Sequence, residues 1–262
     1  MRVLVGDAYA LLFGWPALSK LNKGLFYLAA RALGLHNYAS DRLSGEAGAV
    51  THLLRRVARP VVFDVGANSG DWAAMVARLA PTSEIHAFEP QARLAEQLFA
   101  RLPGVTVNSV AVGDQAGSLT LYDYADRPGS QHASLVPGVI DRVHRATPQE
   151  STVPVTTLDI YCAERGVASI DLLKIDVEGF ELNVLRGAER LLREGRVSAI
   201  QFEFNEMNVV GRTFVADFMN LLKRDYQFHR ALPHGLLALG EGNHWFNEQF
   251  IFQNIIATRR HT

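Results

Sequence analysis

The chain has 262 residues, of which 48% are hydrophobic and 20% are charged, the balance of a soluble globular protein with one sizeable core. Its formal net charge of -1 comes from 26 basic and 27 acidic side chains, so we expect no nucleic-acid partner. The single cysteine, Cys162, excludes an internal disulfide and a cysteine-based zinc site, and it fits the cytoplasmic location that we expect.

We divide the chain into an N-terminal helical segment, residues 1–50, and a catalytic domain, residues 51–262. The early apolar stretches are interrupted by Pro16 and Lys20, well short of a membrane-spanning length, and they lack the pattern of a cleavable signal. An amphipathic helix is predicted over residues 17–34. A helix that packs on the domain, or covers its cleft as a lid over a cofactor, is favoured over weak association with a membrane surface.

From residue 60 onward, apolar β-rich runs alternate with helical patterns. This alternation predicts a mostly parallel sheet with helices on both faces, in which ligands bind at the carboxyl ends of the strands. The last two strands lack a long helix between them, so the final strand is expected to be antiparallel. Strands are predicted at 60–65, 84–90, 106–112, 118–124, 170–177, 197–204, 226–232 and 248–258, helices at 71–80, 91–102, 155–166, 181–195 and 213–225, and long loops at 125–151 and 233–247.

Acidic side chains occur at the ends of three predicted strands. The stretch VVFDVGANSGDW places Asp64 before Gly66 and Gly70, whose small size lets a backbone approach a ligand. A pyrophosphate-binding loop has the spacing G-x-G-x-x-G, which this loop lacks, so a nicotinamide-dependent enzyme is disfavoured. Glu89 is placed to accept the hydroxyls of a ribose, and Asp176 ends a later strand. Helix capping explains any one of these acids, but it is a weak explanation for all three beside a glycine loop.

The motifs DVGANSGDW, HAFEP, NSVAVGD and IDLLKIDVEGFELNVLRGA resemble the FkbM family of S-adenosylmethionine-dependent methyltransferases. The resemblance extends to GLHNYASDRLSGE, QFEFNEMN and EQFIFQNIIA, and so covers nearly the whole chain after the first thirty or so residues. It implies the class I methyltransferase fold, a Rossmann-like, seven-stranded, mostly parallel sheet whose last strand is antiparallel. It also implies O-methylation of a sugar or glycan-type acceptor. The alternative acceptors are polyketide-like or other small metabolites, methylated at a hydroxyl, carboxyl or amine group.

The resemblance also implies how S-adenosylmethionine is held. The glycine loop would hold its methionine part, Glu89 its ribose and Val110 and Ala111 its adenine, while the stretch near residue 37 would fold over it. Because the acids at the strand ends are all present, an inactive binding protein of the same fold is disfavoured. The cofactor residues implied are Asn37, Tyr38, Glu46, Asp64, Gly66, Ala67, Asn68, Gly70, Glu89, Pro90, Val110, Ala111 and Asp176.

A sugar hydroxyl is a weak nucleophile at neutral pH, so a general base or a metal ion must assist the transfer. His132 in the predicted loop is the first candidate for the base, against the alternative of a solvated surface histidine. Asp176, Glu203 and Asn205 could hold Mg²⁺ as oxygen ligands, and hydrogen bonding without metal is an equal alternative. Glu178 would contact the substrate or cap the following helix. The catalytic candidates are therefore Asp176, His132, Glu178 and Glu203, and the sequence indicates no oligomeric state.

Overall fold

A computed structural model describes residues 2–222 and 224–260. Strands in these residues are Val61–Val65 (β1), Glu84–Phe88 (β2), Thr106–Asn108 (β3), Ala111–Val112 (β4), Gly117–Tyr124 (β5), Pro148–Thr156 (β6), Ile170–Ile175 (β7), Val197–Phe204 (β8), Tyr226–Leu232 (β9), Gly235–Ala238 (β10) and Gln253–Arg259 (β11). Helices are Arg2–Phe13 (α1), Ser19–Ala32 (α2), Glu46–Leu54 (α3), Asp71–Leu79 (α4), Ala92–Arg101 (α5), Leu158–Arg165 (α6), Glu181–Arg186 (α7), Glu189–Arg193 (α8), Met207–Gly211 (α9), Val215–Leu222 (α10) and His244–Asn247 (α11). There are also a 3₁₀ turn at Pro16–Leu18 and a π-helical turn at Val139–Val143.

The central sheet has the strand order β10-β9-β11-β8-β7-β1-β2-β3. Strand β1 pairs in parallel with β2 and β7, and β11 is antiparallel to both β8 and β9. The class I methyltransferase fold and the antiparallel last strand are therefore confirmed. The sheet has eight strands among the described residues rather than the seven predicted, because β10 pairs with β9 as an additional antiparallel strand inside the predicted loop 233–247.

Both faces of this sheet are covered, which explains the mainly apolar sequences of β1 and β7. Successive residues of β1 point to opposite faces, so Val62 packs in a core cluster with Val76 and Phe63 packs in another with Leu158. The side chains of Val62 and Phe63 are completely buried. This packing fixes the strand ends of β1, β2 and β7 relative to one another.

A second, three-stranded sheet has the order β4-β6-β5. Strand β6 lies in antiparallel pairing with β5 and in parallel pairing with β4. Residues 148–151 of β6 and the π-helical turn at 139–143 fall within residues 125–151, so the predicted loop there is interrupted at these two places. The second sheet positions the rest of that segment, residues 125–147, beside the carboxyl ends of the central strands.

The N-terminal segment divides into an exposed part and a packed part. Helices α1 and α2 are largely exposed, with Ala30 as the buried residue of α2, whereas α3 buries Ala49, Val50 and Leu54 against the domain. Within the described residues, no helix combines the length and apolar character needed to span a membrane. The predicted boundary at residue 50 falls inside α3, and the division into two regions stays a prediction.

Candidate active site

The carboxyl ends of β1, β2, β7 and β8 surround a cleft of about 760 Å³ and a narrower slot beside it. The slot lies above β1 and β2, and the cleft extends from there toward β7, β8 and the segment before α3. Because the same residues line both spaces, the slot and the cleft adjoin. The residues that line both are Gly66, Asn68, Gln131, Asp176 and Glu178.

The glycine loop is compact because of contacts within the protein. Gly66 has a φ of +83°, and a Cβ there would lie 1.8 Å from the carbonyl oxygen of Asp176. Gly70 has a φ of +81°, and a Cβ there would press on the side chains of Leu98 and Leu102. Gly66 allows β1 to approach the backbone that follows β7, and Gly70 allows the start of α4 to pack on α5. Contacts within the protein therefore explain both glycines without a ligand.

Asn68 connects the loop to Glu89 at the end of β2. The backbone N–H of Asn68 donates to Glu89 Oε2 over 2.9 Å, and the N–H of Gln91 donates to Oε1 over 2.9 Å. Burial raises the pKa of Glu89 to about 7, although the two N–H groups act in the opposite direction. Each carboxylate oxygen can accept a second hydrogen bond, so Glu89 retains acceptor sites that face the slot.

The slot combines apolar walls with the buried carboxylate of Glu89, while Asp176 and Glu178 line it on the side of the cleft. Phe88, Val112, Leu121 and Leu135 form its walls, and Pro90, Val110 and Ala111 lie beside them, as three of the predicted cofactor residues. An apolar slot suits a purine ring, and a carboxylate at its edge suits the two hydroxyls of a ribose. The residues present therefore fit the adenosine part of S-adenosylmethionine.

Lys174 is a buried cation on β7 that faces the cleft between two of the predicted acids. Its Nζ lies 3.3 Å from Asp64 Oδ1 and 3.2 Å from Asp176 Oδ2, and 5.6 Å from the ring centre of Trp72. Burial disfavours the charge on Lys174, yet the carboxylates nearby hold its pKa above the ordinary lysine value. Asp64 is completely buried, and burial raises its pKa while Lys174 lowers it. Asp64 thus lies beneath the cleft and neutralises Lys174, whereas the side chain of Asp176 is 30% exposed and lines the cleft.

The predicted residues of the N-terminal segment are placed in different ways. Tyr38 and Glu46 line the cleft, and Glu46 accepts hydrogen bonds from Ser44 Oγ and Gln201 Nε2, both at 2.8 Å. Burial raises the pKa of Glu46, and its hydrogen bonds partly offset this. Asn37 is buried and joins the end of α2 through Arg31, so it does not line the cleft.

His132 and Glu178 both line the cleft and are in contact with each other. His132 Nδ1 lies 3.3 Å from Glu178 Oε1, and the imidazole stacks on that of His144 at a ring-centre distance of 4.4 Å. The hydrogen bond to Glu178 raises the pKa of His132, whereas burial lowers the pKa of His144. The structure therefore brings together two of the catalytic candidates, one from the second-sheet region and one from the end of β7.

The backbone at Glu178 has a φ of +54°, an uncommon conformation for a residue with a long side chain. Ser134 Oγ donates to the carbonyl oxygen of Glu178 over 2.7 Å, and Glu181 accepts the N–H groups of Val177 and Gly179. Conformations of this kind cost about 1–3 kcal/mol and persist where surrounding contacts fix them, often at functional sites.

Glu203 and Asn205 lie at the end of β8 and line the same cleft. Asn205 Nδ2 donates to Glu203 Oε1, and Asn205 Oδ1 accepts the N–H of Met207 over 2.9 Å. Burial and the charges of Asp176 and Glu178 raise the pKa of Glu203 well above its usual range. The Asn205 amide is engaged in hydrogen bonds and the raised pKa of Glu203 disfavours its ionised form, so the two are poor ligands for Mg²⁺. The described residues also contain no cluster of three or more His, Cys, Asp or Glu that could hold a metal ion. The magnesium prediction is not supported by this arrangement.

The sequence did not predict the ion pairs of Lys174 with Asp64 and Asp176, nor the contact of His132 with His144. A lysine inside the apolar run LLKI was a signal, because a charged residue in a doubly covered strand needs a buried partner. Gln201 on the interior strand β8 donates a hydrogen bond to Glu46 at the start of α3. No local pattern indicated that contact, since the two residues are 155 positions apart.

Several known proteins are similar to this chain in sequence or in fold. A protein-family model, described as the methyltransferase FkbM domain, matches residues 64–229 of this chain. The chain is 25% identical over 158 residues to the 2-O-methyltransferase NoeI of Sinorhizobium fredii, covering 56% of this chain and 65% of NoeI. It is 33% identical over 155 residues to the 31-O-demethyl-FK506 methyltransferase FkbM of Streptomyces tacrolimicus, covering 49% of this chain and 59% of that protein. The chain thus spans less than two thirds of the length of either relative. The solved structure of the plantazolicin methyltransferase BpumL in complex with SAH overlaps with a TM-score of 0.46 at 8% identity, covering 97% of this chain and 94% of BpumL.

Proposed function

Because the chain belongs to the FkbM methyltransferase family, we propose that it transfers the methyl group of S-adenosylmethionine to a hydroxyl oxygen of a sugar or glycan-type acceptor. The proposal depends mainly on one observation: two spaces of different chemical character lie side by side. An apolar slot bounded by Glu89 opens into an acid-lined cleft that contains the His132–Glu178 pair. The slot suits the adenosine part of the cofactor, and the cleft leaves room for an acceptor.

S-Adenosylmethionine, when bound, supplies a methyl group on a positively charged sulfur. In this chain, Asp176 and Glu178 lie where slot and cleft meet, so they would offset that positive charge. Glu89 would hold the ribose from the other side through charge-assisted hydrogen bonds. These assignments give the acids at the strand ends a common role around the cofactor, with Asp64 acting indirectly by balancing Lys174.

The charge of the cleft supports an acceptor rich in hydroxyl groups. Seven carboxylic side chains line the cleft, and Lys174 is its one lysine or arginine among the described residues. Sugar hydroxyls donate hydrogen bonds to carboxylates, whereas a phosphate or carboxylate group on the acceptor would be repelled. The seven acids are Asp41, Glu46, Asp71, Asp176, Glu178, Glu203 and Glu206.

His132 is the proposed general base. With Nδ1 donating to the Glu178 carboxylate, Nε2 is the nitrogen that can take the proton from the acceptor hydroxyl. Glu178 stabilises the imidazolium that forms, in agreement with the raised pKa of His132. The side chain of His132 is 43% exposed, so the proton can pass on to solvent.

The relatives bear on the choice of acceptor. The name of NoeI, a 2-O-methyltransferase, supports a hydroxyl acceptor. The name of the Streptomyces relative, a 31-O-demethyl-FK506 methyltransferase, also gives an oxygen as the methylated atom and names no sugar, so it leaves the alternative acceptor open. A sugar is the first proposal because the many carboxylic side chains along the cleft can accept hydrogen bonds from several hydroxyl groups, which an apolar metabolite lacks. The cytoplasm remains the expected location.

The test combines ligand binding with a transfer assay. We expect S-adenosylhomocysteine to bind in calorimetry and labelled methyl groups to pass to sugars or glycolipid headgroups, not to sugar acids or phosphates. His132→Gln should lower kcat by about 10²–10⁴ with unchanged cofactor affinity, while the exposed His52→Gln serves as the matched control. Transfer mainly to non-sugar hydroxyls would favour the alternative acceptor. Full activity of His132→Gln would refute the proposed base, and no binding of S-adenosylhomocysteine would refute the proposed function.

A further inference from the structure

Helices α1 and α2 form an N-terminal helix pair, residues 2–33, whose apolar side chains lie mostly in solvent. Of the 22 large hydrophobic side chains that are exposed in the described residues, 13 lie between Leu4 and Leu33. Leu11 is 81% exposed, Leu4 is 74% exposed and Leu28 is 65% exposed. An apolar surface of this extent on one part of a molecule marks a contact with another phase or partner.

Helix α2 separates apolar and basic residues on two faces. Leu21, Leu25 and Leu28 follow one another at the spacing of a single helical face, and all three are exposed. Lys20 and Lys23 lie on another side of the helix, together with Tyr27. Apolar residues on one side and basic residues on the other are typical of helices that lie in the surface of a membrane.

Helix α1 is apolar almost all round, with Asp7 as the acidic residue in its sequence RVLVGDAYALLF. Such a helix is normally buried, yet every side chain from Leu4 to Phe13 is exposed. Tyr9 donates to Asn22 Oδ1 over 2.8 Å and so attaches α1 to α2. Trp15, in the turn between the helices, is 65% exposed, as suits an aromatic residue at the boundary of lipid and water.

We propose that the N-terminal helix pair is an interfacial anchor that binds the surface of an anionic lipid membrane. Residues 1–33 contain four basic residues and one acidic residue, although the whole chain has a net charge of -1. This local positive charge complements anionic lipid headgroups.

The anchor adjoins the rim of the cleft. The ring of Tyr27 on α2 lies 5.5 Å from that of His36, and the ring of His36 lies 5.4 Å from that of Tyr38. His36 and Tyr38 both line the cleft. Binding at the lipid surface would therefore hold the mouth of the cleft close to the headgroup layer, whether or not the acceptor is a sugar.

The experiment is sedimentation of the full chain with lipid vesicles. We expect binding to vesicles that contain about 30% phosphatidylglycerol in phosphatidylcholine, weaker binding at high salt, and little binding to pure phosphatidylcholine. Replacing Lys20 and Lys23 with Ala should weaken binding about 25-fold, since each lysine near an anionic surface corresponds to about a five-fold effect. Leu25→Ser with Leu28→Ser should weaken it at least about ten-fold.

Matched controls lie on α5, where Phe99 is 63% exposed and Arg93 is also exposed. Phe99→Ser with Arg93→Ala should leave vesicle binding unchanged, and circular dichroism should show that every variant is folded. Equal binding to neutral and anionic vesicles, or no binding to either, would overturn the proposal. So would a dimer in sedimentation equilibrium that the Leu25 and Leu28 substitutions dissociate, since a second copy would then cover this surface.

Discussion

Lys174→Met should destabilise the fold strongly, because it removes the cation that balances a completely buried carboxylate. In the native protein Lys174 Nζ lies 3.3 Å from Asp64 and 3.2 Å from Asp176. Asp176 can turn toward solvent in the cleft, but Asp64 has no exposed surface. Removing one partner of a buried ion pair costs about 3–5 kcal/mol, a large share of the roughly 5–15 kcal/mol that stabilises a typical domain.

The loss should depend on pH in a defined direction. Burial already raises the pKa of Asp64, and without Lys174 that pKa rises further. A carboxyl with a raised folded pKa stabilises the fold most when it is protonated, and this contribution is lost as the pH rises through the folded value. Lys174→Met should therefore lose most stability at about pH 8 and recover part of it at about pH 5. Each unit by which the pKa of Asp64 in the folded state exceeds its value in the unfolded chain corresponds to about 1.4 kcal/mol of this pH-dependent stability.

The assay is urea unfolding followed by tryptophan fluorescence, at both pH values, for a set of three variants. Asp64→Asn in the Lys174→Met background should restore most of the lost stability, because it removes the unbalanced charge. Gln149→Ala, an exposed substitution, is the control and should leave the free energy of unfolding within about 0.5 kcal/mol of the native value. A loss below about 1 kcal/mol, a loss independent of pH, or no recovery with Asp64→Asn would refute this account of the ion pair.

Further predictions concern the cofactor site and the base. Glu89→Gln should weaken binding of S-adenosylhomocysteine about 10–100-fold in calorimetry, with Glu96→Gln as the exposed control, because one charge-assisted hydrogen bond corresponds to about 1.5–3 kcal/mol. In the native protein the same affinity should fall as the pH drops through about 7, where Glu89 takes up a proton, and a flat profile would contradict its role. Gly66→Ala should destabilise the fold by more than about 3 kcal/mol in urea, since its Cβ would overlap a neighbouring backbone oxygen, whereas Gly104→Ala has open space and should be neutral. If His132 is the base, the transfer rate should rise with pH through a value above that of an ordinary histidine, and His132→Gln should abolish this rise.

The strand ends could be predicted from the sequence because β1, β2 and β7 are short, mainly apolar segments, and the acids Asp64, Glu89 and Asp176 occur at or just after their ends. Register and burial could not be predicted. Asp64 lies one residue before the end of β1 and points into the core toward Lys174, whereas Asp176 follows β7 and faces the cleft. Such a difference depends on which side chains lie opposite in the neighbouring strand, and no pattern within one strand contains that information.

Strand β6 shows the same limit for the second sheet. Its sequence PQESTVPVT is polar and contains Pro148 and Pro154, which argue against a strand. The pairing with β5 places Thr120 opposite Thr152 and leaves much of β6 exposed, so the strand is stabilised by its partners rather than by its own apolar pattern. His132 lies in the segment between β5 and β6, whose position depends on the pairing of these two strands. Because that pairing was not predicted, the contact between His132 and Glu178 could not be predicted either.

The carboxyl groups around the cleft lead to a last prediction, which concerns selectivity for S-adenosylmethionine, with its positively charged sulfur, over S-adenosylhomocysteine, with its neutral sulfur. Burial raises the pKa of both Glu178 and Glu203, and the neighbouring carboxylate of Asp176 raises both further. As the pH rises above the ordinary carboxyl range these groups ionise, and ionised carboxylates attract a sulfonium but not the neutral sulfur that remains after transfer. Glu89 holds the ribose, which both compounds share, so its titration cancels in the ratio of the two affinities. That ratio, measured by calorimetry for S-adenosylmethionine and S-adenosylhomocysteine, should rise with pH in the native protein and rise less in Glu203→Gln. A ratio that stays constant from about pH 6 to about pH 9 would show that these carboxyls do not respond to the charge on sulfur.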